Sequence, residues 1–351
     1  MSSFTNSDIP QTDLLTLTRY VLEMQRDHPT ATGNLTMLIN AIQVGCKFVE
    51  SCVRKARLIN LVGLAGEVNV QGEDQKKLDI LSNDIFVNAL TASGKVASMV
   101  SEEIDHLIKV DPSRRGKYCV TFDPLDGSSN IDAGINVGTI FGIFEEKENA
   151  SSDIDSYLVK GSTIKVAGYC MYGSSCNLVI TLGHNRVDGF TLDPSMGEFI
   201  LTHPNIRVPS KGSIYSVNEG NSMFFDEATL KYIESLKYPD PSSGKKPFSA
   251  RYTGSMVADV HRTFLYGGIF AYPADKKSKI GKLRTLYESF PMAYLCEQAG
   301  GKATTGSKRV LDITPIGIHD RSPIFLGSAD DIDSIEESFK KYSNVLEQRF
   351  S

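Results

Sequence analysis

Helix-period and strand-period patterns alternate along this chain, and one strand-forming run, Tyr118-Cys119-Val120-Thr121-Phe122, empties directly into Asp123-Pro124-Leu125-Asp126-Gly127-Ser128-Ser129-Asn130. Pro124 fixes one backbone dihedral and Gly127 permits a tight turn. Such a turn can aim both carboxylates and an intervening carbonyl at one spot. Hard divalent cations require that ligand set, several oxygens with at least one charged. The N–H groups of Gly127, Ser128 and Ser129 would then face an anion held on the same cation. The same residues also suit an Asp-Pro turn followed by a capped element.

The flanking patterns set the architecture. After Thr32-Gly33-Asn34, apolar residues at Leu35, Leu38, Ile39, Ile42, Cys46, Val49 and Val53 form one helix face, closed by Arg54, Lys55 and Arg57. Leu78, Leu81, Ile85 and Leu90 predict a second helix that stops at Gly94. Thr139 to Phe144 and Leu178 to Leu182 read as further strands. Ile332, Ile335, Phe339, Tyr342 and Leu346 mark a last amphipathic helix. The polar stretches Glu145 to Ser156 and Tyr238 to Pro247 read as loops, the first of them exposed. Gly134, Gly138 and Gly142, spaced by four, are expected at close packing or turns. These alternations indicate a layered α/β or α+β protein. At roughly 150 residues per domain, 351 residues allow two domains, with a boundary near residue 205.

Charge and composition remove several function classes. Lys and Arg total 37 against 42 Asp and Glu, a net charge of −5 with no basic excess for nucleic acid. No apolar stretch approaches the roughly 20 residues of a membrane-spanning helix. The start, Met1 to Asp8, lacks the basic-then-apolar order of a secretory signal, and Arg349-Phe350-Ser351 is not a peroxisomal address. A cytoplasmic protein is expected. The six cysteines form no Cys-x-x-Cys pair and are expected reduced and mostly buried. Phosphate-loop, dinucleotide-turn and Gly-x-Ser-x-Gly motifs are absent, and the six histidines are scattered.

Other acids are placed to join the aspartates. Ser101-Glu102-Glu103 follows an apolar run, and Gly72-Glu73-Asp74 leads to Asp79 in the first turn of a helix. Adjacent glutamates also suit a solvated surface. If these acids converge, their repulsion requires cations or raised pKa values. That arrangement supports metal-assisted hydrolysis, with a spare carboxylate taking a proton from water. In the second half, Arg251-Tyr252, Tyr272 and Lys282-Leu283-Arg284 supply a local cluster that a small anionic substrate would need.

Taken with Gln75 to Asp79, Phe122 to Ile131, Tyr215 to Gly220, Gly254 to Arg262, Tyr266 to Phe270 and Lys282 to Glu288, the chain resembles the fructose-1,6-bisphosphatase family over nearly its whole length. The Asp-Pro-x-Asp-Gly core alone would indicate only the wider superfamily of metal-dependent, lithium-sensitive sugar and inositol phosphatases. The resemblance implies an α+β fold, a layered αβαβα sandwich of two subdomains: residues 1–205 with the metal acids and a regulatory site, and 206–351 binding sugar phosphate. It implies a homotetramer that hydrolyses the 1-phosphate of fructose 1,6-bisphosphate in gluconeogenesis, using two to three Mg²⁺ (or Mn²⁺) ions per subunit. Glu102, Asp123, Asp126, Glu288, the Leu125 carbonyl and Glu73 would hold metal. Asp79 and Glu103, with Glu73 contributing, would orient and deprotonate the attacking water. Ser128, Ser129 and Arg284, beside Asp126 and Gly127, would hold the 1-phosphate. Asn218, Tyr252, Tyr272 and Lys282 would hold the 6-phosphate, with Arg251 reaching in from a neighbouring subunit, while Gly254, Ser255 and Met256 line the sugar.

The resemblance also implies an AMP inhibitor site at Thr32, Gly33, Thr36, Lys117 and Tyr118. Here the chain departs from the family: Gln25 replaces Gly, Glu145 an AMP-contacting Arg, and Asn177 a Met. A Glu near a phosphate turns attraction into repulsion. Glu73 stands for a shorter Asp in the family, and Asn221 for a phosphate-binding Tyr. Two other readings stay open: a related phosphatase acting on sedoheptulose 1,7-bisphosphate or an inositol phosphate, and a non-catalytic sugar-phosphate or AMP sensor.

Overall fold

The computed structural model describes residues 13–26, 31–56, 58, 64–68, 74–147 and 152–342. The chain begins with α1 (Leu17–Gln25), α2 (Asn34–Lys55), a ribbon of β1 (Leu64–Val68) and β2 (Asp74–Lys76), and α3 (Lys77–Ala92). Strands β3 (Val96–Ser101), β4 (Ile108–Lys109), β5 (Tyr118–Asp126), β6 (Val137–Glu145), β7 (Val166–Tyr172), β8 (Cys176–Thr181), β9 (Asp188–Asp193) and β10 (Glu198–His203) follow. The second half holds β11 (Ile214–Ser216), α4 (Glu227–Lys237), β12 (Ser249–Ala250), α5 (Met256–Tyr266), β13 (Ile269–Tyr272), α6 (Phe290–Gln298), β14 (Lys302–Thr304), β15 (Ile324–Gly327) and α7 (Ala329–Tyr342).

Two sheets form, ordered β10-β9-β8-β7-β6-β5-β3-β4 and β12-β11-β13-β15-β14. Strands of the larger sheet are apolar on both faces because both faces are covered. On β6, Val137, Phe141 and Ile143 pack with Leu38, Ile42 and Phe86 of α2 and α3. The alternate residues Ile140 and Phe144 pack with Val257, Phe264 and Phe290 of α5 and α6. The same cluster reaches Phe270, Ile324 and Leu326 of the smaller sheet. Behind that sheet, Tyr215, Ile269 and Phe325 meet Tyr232 and Ile233 of α4 and Ile332 and Ile335 of α7. The layers run helices, sheet, helices, sheet, helices: the αβαβα sandwich implied by the resemblance.

The expected helices and strands correspond to α2, α3, α7, β5, β6 and β8. Arg57 and Leu346 lie outside the described residues. All six cysteines are free and buried. Gly134 has φ +72°, a turn, while a Cβ on Gly138 would lie 2.8 Å from the Cys170 carbonyl, which is close packing. The described ends of the stretch 145–156, residues 145–147 and 152–156, differ from an exposed loop. Glu145 ends β6, and Asp153–Ser156 forms a 3₁₀ turn whose Ser156 is buried and accepts the Lys147 N–H at 3.0 Å.

Candidate active site

The structure corrects the shape expected around Asp123 and Asp126. The strand does not turn after Phe122; β5 continues through Asp126, and the turn starts at Ser128. In a regular strand, residues three apart point to opposite faces. Against β6, Asp123 opposes Ile140 while Asp126 opposes Gly138, so three steps on β5 match two on β6. This bulge brings the two carboxylates to one side. Pro124, which has no N–H to give a ladder, sits inside it, and its carbonyl accepts Thr139 Oγ1 at 2.8 Å. Asp123 Oδ1 accepts the Leu125 N–H at 2.9 Å and holds the bulge closed.

Three segments converge there. Strand β3 runs parallel to β5 with Ser101 opposite Phe122, so Glu102, whose N–H donates to the Phe122 carbonyl at 3.2 Å, emerges beside Asp123. A π-turn at Thr285–Ser289 is tied to β5 by Thr121 Oγ1 donating to the Leu286 carbonyl at 2.9 Å, which delivers Glu288. Among the described residues, carboxylate oxygens of Asp123, Asp126 and Glu288 lie within 4.8 Å of one another, all three residues buried. At that separation, each ionised pair repels by about 3 kcal/mol at an effective dielectric of about 20.

Burial and mutual repulsion raise the carboxylate pKa values of the pocket. Desolvation, followed by the charges of Glu288 and Glu103, pushes Glu102 well above the usual carboxylate range. Desolvation and the charges of Glu102, Asp126 and Glu288 do the same to Asp123. Glu288 is raised to about 8, by burial and then Asp126. Asp126 rises only to about 6, because N–H groups of Val257 and Met256 at the start of α5 offset its burial. A buried, oxygen-only, acid-rich pocket of this kind fits a hard divalent cation, which would replace the protons.

The other predicted acids stand at the margin. Glu103 is half-buried, its N–H donating to Ser101 Oγ at 3.3 Å. Asp79 is buried in the first turn of α3, one helical turn before Asn83, which accepts Ser101 Oγ at 2.7 Å. Glu73 lies outside the described residues.

The smaller sheet supplies the cations and hydroxyls. β11 runs parallel to β12 and to β13, so three strand ends open on one side. Asn218 follows β11, Arg251 and Tyr252 follow β12, and Tyr272 ends β13. Desolvation, and after it Tyr272, raises the Tyr252 pKa. Exposed Lys282 precedes Leu283, whose carbonyl accepts the Ser322 N–H at 2.9 Å near the start of β15. Arg284 is buried; its N–H donates to Glu288, Nη1 donates to the His319 carbonyl at 2.9 Å, and Nε has no hydrogen-bond partner. Exposed Arg251 turns its guanidinium to the Ala250 carbonyl at 2.8 Å.

The halves meet where Gly127, at φ +76°, opens the Ser128–Ala133 turn. A Cβ on Gly127 would sit 3.2 Å from Ser255. Asn130 Nδ2 donates to the Gly254 carbonyl at 3.1 Å, next to buried Ser255 and Met256. Two residues given no role from the sequence shape this edge. Buried Asp259 accepts the Thr253 and Gly254 N–H groups and Thr253 Oγ1. Arg262 joins Asp259 to Ser216 Oγ at 2.6 Å and the Arg251 carbonyl at 2.8 Å. Their sequence signal is an acid in a first helical turn with Arg three residues on.

A separate cavity of about 260 Å³ opens at the N-terminus of α2. It brings together Thr32, Gly33, Thr36, Lys117 and Tyr118 with Gln25 and His184. Gly33 caps α2 at φ +78° without a side-chain cap. Thr36 Oγ1 donates to Gln25 Oε1 at 3.1 Å, and Lys117 Nζ pairs with Glu145 at 3.0 Å. Asn177 lies elsewhere in its contacts, accepting Thr191 Oγ1 at 2.9 Å.

Known proteins place these features in context. The fructose-1-6-bisphosphatase N-terminal domain family matches residues 15–204, and its C-terminal domain family matches 208–340. The chain is 60% identical over 330 residues to the cytosolic fructose-1,6-bisphosphatase of Oryza sativa subsp. indica, covering 94% of this chain and 96% of that one. The cytosolic enzyme of Arabidopsis thaliana matches at the same identity and coverage. Among solved structures, Leishmania major fructose-1,6-bisphosphatase in holo form superposes with a TM-score of 0.88 at 44% identity, over 93% of this chain and 99% of that chain.

Proposed function

This chain belongs to the fructose-1,6-bisphosphatase family, and we propose that it hydrolyses the 1-phosphate of fructose 1,6-bisphosphate to fructose 6-phosphate and phosphate, in gluconeogenesis and in the cytoplasm. The observation that carries the reading is the buried acid pocket beside Arg284: carboxylates whose pKa values burial raises, next to a buried guanidinium whose Nε–H has no hydrogen-bond partner.

Glu102, Asp123, Asp126, Glu288, the Leu125 carbonyl and Glu73 hold two to three Mg²⁺ or Mn²⁺ ions. Bound there, such ions polarise phosphoryl oxygens and make water more acidic. Glu103 and Asp79 orient the attacking water and take its proton. As its oxygen bonds to phosphorus, the bond from phosphorus to the C1 oxygen breaks, and that oxygen keeps the electron pair and takes a proton from solvent. Ser128, Ser129 and Arg284 hold the phosphoryl oxygens. Asn218, Tyr252, Tyr272 and Lys282 hold the 6-phosphate; the support for the first three is the shared edge of three parallel strand ends. Gly254, Ser255 and Met256 line the sugar.

The chain assembles as a homotetramer in which Arg251 serves a neighbour's 6-phosphate. Exposed Met37, Val44 and Phe48 on one side of α2 support an apolar subunit contact. Residues 1–205 and 206–351 act as two domains, supported by family matches that divide between 204 and 208. AMP binds the α2 cavity weakly, since Lys117 is already paired.

Phosphate release from fructose 1,6-bisphosphate, with Mg²⁺ or with EDTA and with AMP in parallel, tests this. Magnesium-dependent release is expected. Faster release from sedoheptulose 1,7-bisphosphate would favour the related phosphatase, and binding without release the sensor.

A further inference from the structure

His319 lies in the loop before β15, away from every motif that marks the acids, yet it touches both segments that carry them. Its Nδ1 lies 3.0 Å from Tyr287 Oη, in the π-turn one residue before Glu288. Its Nε2 lies 3.2 Å from the carbonyl of Asp105, two residues beyond Glu103. Its own carbonyl accepts Arg284 Nη1 at 2.9 Å. A carbonyl only accepts, so Nε2 carries the ring proton, and Nδ1 is left to accept from the phenol. The Tyr287 ring stands edge-on to the imidazole, with centroids 5.9 Å apart. One side chain and its carbonyl thus join three chain segments that are distant in sequence.

We propose that His319 is a positioning residue that fixes the distance between the Glu102–Glu103 segment and the Glu288–Arg284 segment, and so sets the affinity of the acid pocket for divalent cations. The inference rests on the metal-phosphatase reading above. Glu102 reaches the pocket from the end of β3, beyond which the chain leaves the sheet; the Asp105 carbonyl is the anchor His319 gives it. Glu288 comes from a π-turn, a distorted turn that needs outside support. A tie between the two is most useful where like charges push them apart.

Mn²⁺ binding to the substrate-free protein, followed by electron paramagnetic resonance, together with steady-state turnover across Mg²⁺ concentrations, tests the idea. Wild-type binding and turnover establish the metal-phosphatase reading independently. His319→Ala is expected to weaken Mn²⁺ binding about 10-fold and to raise half-saturating Mg²⁺ by a similar factor. His319→Gln, which retains a donor for the Asp105 carbonyl, is expected to recover part of the loss. Tyr287→Phe, which removes only the hydroxyl, is expected to weaken binding less than the alanine variant. Unchanged Mn²⁺ affinity in folded His319→Ala would overturn the proposal, as would a lower melting temperature with unaltered metal dependence. If His319→Ala does not fold, Tyr287→Phe and His319→Gln decide the matter, and wild-type affinity in both overturns it.

Discussion

The acid pocket and the α2 cavity are both built to attract a charged ligand, but they leave their own charges in different states. In the pocket, Asp123, Asp126 and Glu288 face one another within 4.8 Å with pKa values raised above the usual carboxylate range, and Arg284 Nε is buried with no hydrogen-bond partner. In the cavity, Lys117 is neutralised by Glu145, which also reaches Lys165 at 3.7 Å, and Thr36 is occupied by Gln25. A site crowded with mutually repelling acids is relieved when a cation displaces their protons. A site that satisfies itself must first give up what it has.

Removing a member of the acid pocket or its guanidinium carries the largest effect. Asp123→Ala is expected to lower kcat by more than about 10³-fold at saturating Mg²⁺; near wild-type phosphate release would end the assignment of the pocket. Arg284→Ala is expected to cost about 10²-fold in kcat/KM, measured with fructose 1,6-bisphosphate, and an unaltered value would remove Arg284 from the phosphate site.

The raised pKa values also predict a pH dependence. Glu288 and Asp126 have folded pKa values raised to about 8 and about 6, above their unfolded values. Their stabilising protonation is complete below the unfolded pKa and is lost as pH rises through 6 and 8. The melting temperature of metal-free protein should therefore fall across that window, and Mn²⁺ should flatten the decline. A metal-free melting temperature that rises from pH 6 to 8 would contradict the picture.

The smallest effect belongs to the cavity. Glu145→Gln frees Lys117 and should lower the AMP concentration for half-inhibition about 3-fold, because a half-exposed ion pair is worth at most about 1 kcal/mol. If AMP fails to respond to this change, the two sites do not differ in the way described.

The layers were legible where the pattern was local. Alternation on β6 and the apolar face of α2 need only neighbours in sequence. The bulge at Pro124 was not legible, because a two-against-one step exists only relative to the register of β6. The types of Asp123 and Asp126 suggested metal, but the arrival of Glu102 depends on a parallel pairing and that of Glu288 on a bond from Thr121. The residue pattern offered Glu102 as a candidate acid; its metal role and that of Glu288 came from the family resemblance. Asp259 escaped notice because two of its partners are backbone amides, which carry no residue signature. Glu145 was expected to repel a phosphate directly. The register of β5 and β6 sets Tyr118 opposite Glu145, and the carboxylate instead occupies the neighbouring Lys117.

The stitching of Asp126 to the Val257 N–H spans 131 positions, that of Asn130 to Gly254 spans 124, and that of Thr121 to Leu286 spans 165. Such closures form late, after each sheet has begun to assemble around its own short-range pairs. During refolding from denaturant, helical and sheet signals should therefore return before turnover does. Regained activity then times the docking of the two halves, a clock that spectroscopic probes of secondary structure would miss.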